Sequence, residues 1–552
     1  MKRMLEELTL LYGADAEAIL QAIRRRFGEG YEARPTVGAD QTFAVLITYG
    51  NTLQRPNEKP LRTLKRFLDE YVGNALTAVH LLPIYPYSSD DGFSVIDYRS
   101  VNEEWGDWED VRAIGKRYAL MLDAVINHAS RRGEWFARYL RCEEPYERFF
   151  ITRDPEVDYS CVIRPRSSPL FTRVQTAKGP RWVWTTFSDD QMDLNFRSPE
   201  LLLEILDVLL GYARNGARLL RLDAIGFAWK NSGTTCMNLP QTHALVRLFR
   251  AFLDRYAPGT TLATETNVPS DENLAYLGDG TNEAGMVYQF PLPPLTLHAF
   301  LTQNAAYLTQ WAMKLPQPGE NATFFNFLAS HDGIGLRPAE GILPPEEIER
   351  MTAMTEARGG LVSRRDAGHG RRTVYELNIN YMDALAPPEA DDRDRTRRFL
   401  AAHTLLLSLA GVPGVYIHSL LGSHNARQEA LDSGINRRIN RACLNADAVE
   451  GELGEPSLRR NVFEEIRRRL KLRGMQAAFH PKAGQRVLDL DKRVFCVLRT
   501  AQHQQIAAAI NVSDEAVQLP LRGYELLQGR YTGGNLLLEA HQAAWVVLED
   551  GV

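Results

Sequence analysis

Leu219-Leu220-Arg221-Leu222-Asp223 is a short apolar run that closes on a carboxylate, and it reads as a buried β-strand with a chemically loaded tip. Two more segments repeat the arrangement: Thr264-Glu265-Thr266-Asn267 and Ser330-His331-Asp332 each close a short apolar stretch. Carboxylates at strand ends are expected in an eight-stranded β/α barrel, where strand termini and their loops line one open face. Glycosyl transfer with retention needs such a set. One carboxylate attacks the anomeric carbon, and a second, protonated one donates to the leaving oxygen and then takes a proton from the acceptor. Catalysis is therefore the first reading, ahead of binding.

Outward from these tips, Ala44-Val45-Leu46-Ile47-Thr48-Tyr49, Ala78-Val79-His80-Leu81-Leu82 and Leu120 to Ile126 are continuous apolar runs, typical of parallel strands buried on both faces. With Leu219 to Asp223, Thr261 to Glu265, Met286 to Gln289, Phe324 to Ser330 and Val415 to His418, they give eight strand signals in βα order. The predicted class is α/β, a (β/α)8 TIM barrel over 41–480. Residues 1–40 read as a helical extension: Leu5, Leu8, Leu11, Ile19, Leu20 and Ile23 keep helical spacing, broken by Gly28 and Gly30 and ended near Pro35. Two intervals, about 129–197 and 333–394, are too long for a simple βα unit and are expected as insertions on the active-site face. Short period-two runs (Arg486 to Leu490, Val494 to Leu498, Ile506 to Asn511, Ala544 to Leu548) predict a small antiparallel β domain over 481–552. The run Asp391-Asp392-Arg393-Asp394-Arg395 reads as a solvated helix start.

Composition narrows the function classes. The chain has 552 residues, 44% hydrophobic and 24% charged, with a net charge of −5, so there is no global basic field to attract nucleic acid. No stretch approaches the roughly 20 apolar residues of a membrane span. Glu6 and Glu7 interrupt the apolar core a secretory signal needs, so the expected location is cytoplasmic. Cys142, Cys161, Cys236, Cys443 and Cys496 are odd in number and lack paired metal-ligand spacing, which argues against a disulfide framework or a zinc site.

The ordered set Asp123-Ala-Val-Ile-Asn127-His128, Arg221-Leu-Asp223, Glu265 and His331-Asp332 resembles the four signature regions of the α-amylase superfamily of retaining glycoside hydrolases and transglucosidases. The resemblance implies Asp223 as nucleophile, Glu265 as general acid/base and Asp332 as the group that holds sugar hydroxyls and stabilises the transition state. The residues agree with these roles. Arg221 lies two positions before Asp223 on the same strand face, a fixed cation that keeps the nucleophile ionised. Glu265 must stay protonated at rest, which neighbouring carboxylates favour by raising its pKa. His128 and His331 are expected as neutral donors to the sugar in the same subsite.

Ser88 to Tyr98 and Gly434-Ile-Asn436-Arg437-Arg438-Ile439-Asn440-Arg441 resemble the sucrose phosphorylase branch. This implies that Asp90 and Phe93 hold the glucosyl ring, that Arg437 clamps a hydroxyl pair, and that phosphate resolves the glucosyl-enzyme. Arg164 and Arg166, in the first insertion, fall where the family's phosphate-reaching arginines lie, and a guanidinium fork suits a phosphate oxyanion. Phe227 and Asn267 depart from the Tyr and His of sucrose phosphorylases at the acceptor subsite. Together with Gly226 to Lys230, Thr264 to Pro269, Ala329 to Leu336 and Asn380 to Leu385, they resemble the glucosylglycerate phosphorylases. That family cleaves 2-O-α-glucosylglycerate with phosphate to give α-glucose 1-phosphate and glycerate; a sucrose or sucrose 6-phosphate phosphorylase is the competing reading. A cation must then meet the glycerate carboxylate, with Lys230, Arg166, Arg438 and Arg441 as candidates. Tyr375 and Glu376 join the phosphate and acceptor set. The resemblance implies no metal or cofactor, with Asn127 orienting loops by hydrogen bonds, and is compatible with a homodimer.

Overall fold

Apolar runs without a polar face must be covered on both sides, and here they are. The eight runs form a closed, all-parallel barrel: β1 (Val45–Thr48), β2 (Ala78–Leu81), β3 (Ala119–Val125), β4 (Ala217–Asp223), β5 (Thr261–Thr264), β6 (Met286–Tyr288), β7 (Thr323–Phe327) and β8 (Val412–Tyr416). The computed structural model describes residues 1–28, 40–166, 168–317, 319, 321–366 and 372–549. Gly30 and Pro35, expected to break and end the helical extension, lie outside them.

Register decides what the barrel mouth can hold. Asp123 on β3 lies opposite Arg221 on β4, and Val125 lies opposite Asp223. Strand alternation puts Arg221 and Asp223 on one side, so a cation enters the site directly beside two carboxylates. β5 stops at Thr264 and β7 at Phe327, leaving Glu265 and His331-Asp332 on the loops just beyond the strand ends.

One strand differs from expectation. β8 begins at Val412, and Ile417–Leu420 is already helical. Pro413 and Gly414 disguise its start, since neither favours a strand. Gly414 is there for space: a Cβ would stand 2.6 Å from the tip of the buried Phe325 ring.

The helical extension consists of α1 (Lys2–Tyr12) and α2 (Ala16–Phe27), which lie on the outer helical layer. Glu7 pairs with Arg247 at 2.8 Å, and Phe27 meets Phe252 edge-on at 5.0 Å. In the first long interval His128–Ser130 pairs antiparallel with Gln191–Asp193. In the second, Ile334–Gly335 adds to a hairpin of Leu361–Asp366 and Arg372–Asn378. At the C-terminal end Gly484–Asp491, Val494–Ala501, Gln504–Asn511 and Ala543–Leu548 form the body of an antiparallel sheet. Arg499 and Trp545 join it to the barrel, donating to the Ser408 carbonyl at 3.0 Å and the Ser408 hydroxyl at 2.7 Å. Among the described residues no helix is long and apolar enough to cross a membrane.

Gly411, just before β8, has φ +122°, and a Cβ there would come within 2.8 Å of the Phe324 carbonyl oxygen. Gly411→Ala therefore meets both a backbone penalty and a clash with main chain that cannot move without opening the barrel. A loss of about 2–4 kcal/mol is expected in urea unfolding, without a change in m-value.

Candidate active site

The floor of the site is a layered charge network. His80 contacts the Asp123 carboxylate at 2.7 Å; Asp123 in turn accepts from the Arg221 guanidinium, which also donates to Asp223 at 3.1 Å and stands 3.9 Å from Glu265. Arg221 is buried beneath Phe93 and Tyr288, whose rings lie 5.6 and 5.7 Å from its carbon. Arg221, also a candidate substrate-binding residue on the family resemblance, sits under the floor and does not line the cleft: it acts there through the carboxylates it holds.

Burial pushes Asp223 well above the usual carboxylate range; Arg221 opposes this, and Glu265, Asp123 and Asp332 add to it. Glu265 is raised likewise, by burial against the pull of Arg221, with Asp332 adding to the rise. Both shifts run in the same direction, so the two carboxylates compete for the one guanidinium. The shorter contact of Arg221 to Asp223 favours the proton on Glu265. Ala224, between them in space, has φ +54° and donates its N–H to Glu265 at 3.2 Å.

Asp332 has the opposite environment. Burial alone would raise its pKa, but Arg437 at 2.5 Å, His331 at 3.5 Å and Arg441 at 3.5 Å hold it far below the usual range. Arg437 is fixed from behind by a two-pronged bond to buried Glu376, at 3.0 and 3.1 Å, and Glu376 also accepts from Gly333 N–H at 3.0 Å. Glu376 was expected on the acceptor side; its carboxylate is spent positioning Arg437.

Asp90, Phe93, His128 and His331 line the same cleft. His331 stacks on Phe93 at 4.7 Å. Burial lowers the pKa of both histidines, keeping them neutral. Gln191, absent from the sequence reading, joins this wall and bonds His128 at 3.1 Å. Asp90 and Asp91 occupy left-handed backbone at φ +52° and +46°. Arg438 binds Asp91 at 2.8 Å, while Arg441 binds Asp91 at 2.9 Å and the His331 carbonyl at 2.7 Å. Both arginines thus brace the loop, and neither lines the cleft; their expected acceptor role is corrected.

The cleft narrows to an enclosed space of about 70 Å³ above the carboxylates. Its outer wall carries Phe227, Asn267, Arg166 and Tyr375 from the expected set, with Arg166 over the Tyr375 ring at 5.4 Å. Pro165 lines it, but Arg164 does not. Arg337, Met237 and Phe187 complete the wall and were not anticipated. Arg337 directly follows the segment Ala329 to Leu336, but nothing in that segment marks it as a cleft residue.

The α-amylase catalytic-domain family matches residues 70–333. Glucosylglycerate phosphorylase of Spirochaeta thermophila is 47% identical over 524 residues, 93% of this chain and 89% of that protein. The enzyme of the same name from Allomeiothermus silvanus is 45% identical over 548 residues, 99% and 98% respectively. Among solved structures, sucrose 6F-phosphate phosphorylase from Thermoanaerobacter thermosaccharolyticum superposes with a TM-score of 0.74 at 23% identity, covering 86% of this chain and 94% of that one, a likeness of fold.

Lys230, the remaining expected acceptor cation, also points elsewhere. Its buried ammonium lies 2.6 Å from Asp193 and donates to Asn127 Oδ1 at 2.7 Å, tying the first insertion to β3. Burial lowers its pKa, and Asp193 opposes the shift, so the charged pair survives. Asp193 also takes Thr186 N–H at 2.7 Å and Thr186 Oγ1 at 2.6 Å. Lys230→Met should leave this carboxylate buried without its cation and cost about 3–5 kcal/mol in chemical denaturation, with little change in acceptor preference.

Proposed function

The chain belongs to the glucosylglycerate phosphorylase family, in the sucrose phosphorylase-like branch of the α-amylase superfamily. From that premise we propose that it reversibly converts 2-O-α-D-glucosylglycerate and phosphate to α-D-glucose 1-phosphate and D-glycerate through a covalent β-glucosyl-enzyme. The observation that carries the reading is one juxtaposition: two carboxylates sharing a buried guanidinium at the bottom of a cleft whose rim presents Arg166 and Arg337. A glycosyl-transfer pair stands beside a place for an anion.

Asp223, kept ionised by Arg221, attacks the anomeric carbon of the glucosyl unit. Glu265 gives its proton to the leaving glycerate oxygen. Asp332, anionic and oriented by Arg437, holds ring hydroxyls as positive charge develops at C1. Phosphate then attacks the glucosyl ester from the face that glycerate left, which restores the α configuration. Its proton passes to Glu265, and the ester electrons return to Asp223. Phe93, stacked on His331, covers the ring and keeps water from the ester.

Phosphate release from α-D-glucose 1-phosphate, with D-glycerate, fructose and fructose 6-phosphate compared as acceptors, tests the assignment. Release should be fastest with glycerate by at least about tenfold in kcat/KM. Preference for fructose or fructose 6-phosphate would move the substrate to sucrose or its 6-phosphate.

Catalysis requires Glu265 protonated and Asp223 ionised, so kcat/KM should be bell-shaped in pH. Activity falls at high pH as Glu265 loses its proton through a raised pKa. Asp332 contributes to that rise, so Asp332→Asn should move the alkaline limb of the residual activity to lower pH by roughly one unit. An unmoved limb would assign it to another group.

A further inference from the structure

Arg337 differs from the other arginines of the site. Arg437 and Arg441 each have carboxylates within 3.5 Å. Arg337 lines the cleft, yet among the described residues it has no carboxylate within ion-pair distance, and its hydrogen bond there goes to the thioether of Met237 at 3.5 Å. A thioether is a weak acceptor for a charged guanidinium. Burial lowers its pKa, and the like charge of Arg365 lowers it further. A half-buried guanidinium without a counter-charge is costly unless an anion completes it. Arg166 comes to the same cleft from the other insertion, against Tyr375, with no carboxylate within ion-pair distance among the described residues. Phe227 and Met237 supply the apolar part of that wall, beside the amide of Asn267.

We propose that Arg337, beside Arg166 on the cleft wall, takes the carboxylate of a small 2-hydroxy acid and so sets acceptor specificity, and that glucosyl transfer extends to other 2-hydroxy acids such as D-lactate. This rests on the phosphorylase reading above. In the transfer step the acceptor 2-hydroxyl oxygen bonds to C1 while the C1–O bond to Asp223 breaks. The electron pair returns to the Asp223 carboxylate, and the hydroxyl proton passes to the Glu265 carboxylate. Because acid and phosphate must both approach C1 from the same face, each acid should compete with phosphate.

The test uses α-D-glucosyl fluoride as donor, which loads the enzyme without phosphate, and measures partition between water and D-glycerate, D-lactate or glycerol. Wild type should glucosylate both acids in preference to glycerol. In Arg337→Gln, transfer to both acids should fall roughly 10- to 100-fold, the worth of a charge-assisted hydrogen bond, through acceptor KM. Transfer to glycerol should fall at least about fivefold less than transfer to either acid, and Arg337→Lys should restore part of the loss. Arg166→Gln should show the same charge-selective loss, which keeps the test intact if Arg337→Gln misfolds. Equal losses for glycerol and the acids, or no loss in either variant, would overturn the carboxylate site. Wild type that takes glycerate but refuses D-lactate would overturn the wider acceptor range alone. Wild type that prefers fructose to glycerate with α-D-glucose 1-phosphate as donor would overturn the glucosylglycerate reading itself, and is told apart because it needs no variant.

Discussion

The guanidinium of Arg221, buried between Asp123 and Asp223, is the constraint on which the rest of the site is built. Three carboxylates cannot be taken out of water in one place without a cation, and a cation cannot be buried there without them. Register settles which residues meet: Asp123 is the neighbour of Arg221 across β3 and β4, and Asp223 is two residues further along the same face. With Asp123 neutralising one side of Arg221, only part of its charge is left for Asp223 and Glu265. That remainder is divided unequally, with Arg221 3.1 Å from Asp223 and 3.9 Å from Glu265. The unequal protonation that acid/base chemistry requires thus follows from how one cation is divided.

Backbone strain also enters this network, and arginines hold it at the outer turn. Asp90, Asp91 and Ala224 have positive φ without being glycine, and such positions persist only where surrounding contacts over-determine them. Arg438 and Arg441 supply those contacts for the Asp90–Asp91 turn, and Glu376 does the same for Arg437. Charged groups near a binding site therefore divide into those whose valence is filled by the protein and those left for a ligand. Sequence proximity does not sort them; partner geometry does.

The barrel and its carboxylates were legible because each is a local signal: an apolar run, then a charged tip. β8 was read late, since Pro413 and Gly414 serve packing against Phe325 at the expense of strand propensity. The acceptor wall was harder. Of the four cations proposed for it only Arg166 lines the cleft, because Lys230, Arg438 and Arg441 find carboxylates far away in sequence. Arg337 was overlooked for the converse reason: nothing in its neighbours along the chain reveals the lack of a nearby counter-charge.

The glucosyl side and the acceptor side consequently differ in how freely they can change. On the glucosyl side every cation is shared among buried carboxylates, so replacing one redistributes charge over Asp223, Glu265 and Asp332 together. On the acceptor side Arg166 and Arg337 sit on separate insertions, and Tyr375 and Met237 contact them through a ring and a thioether. Neither contact is an ion pair, so exchanging either arginine unbalances no buried carboxylate. The fold can therefore keep its transfer chemistry while its acceptor is reset from the loops, which is the separation of labour expected when a rigid barrel carries catalysis and its insertions carry selectivity.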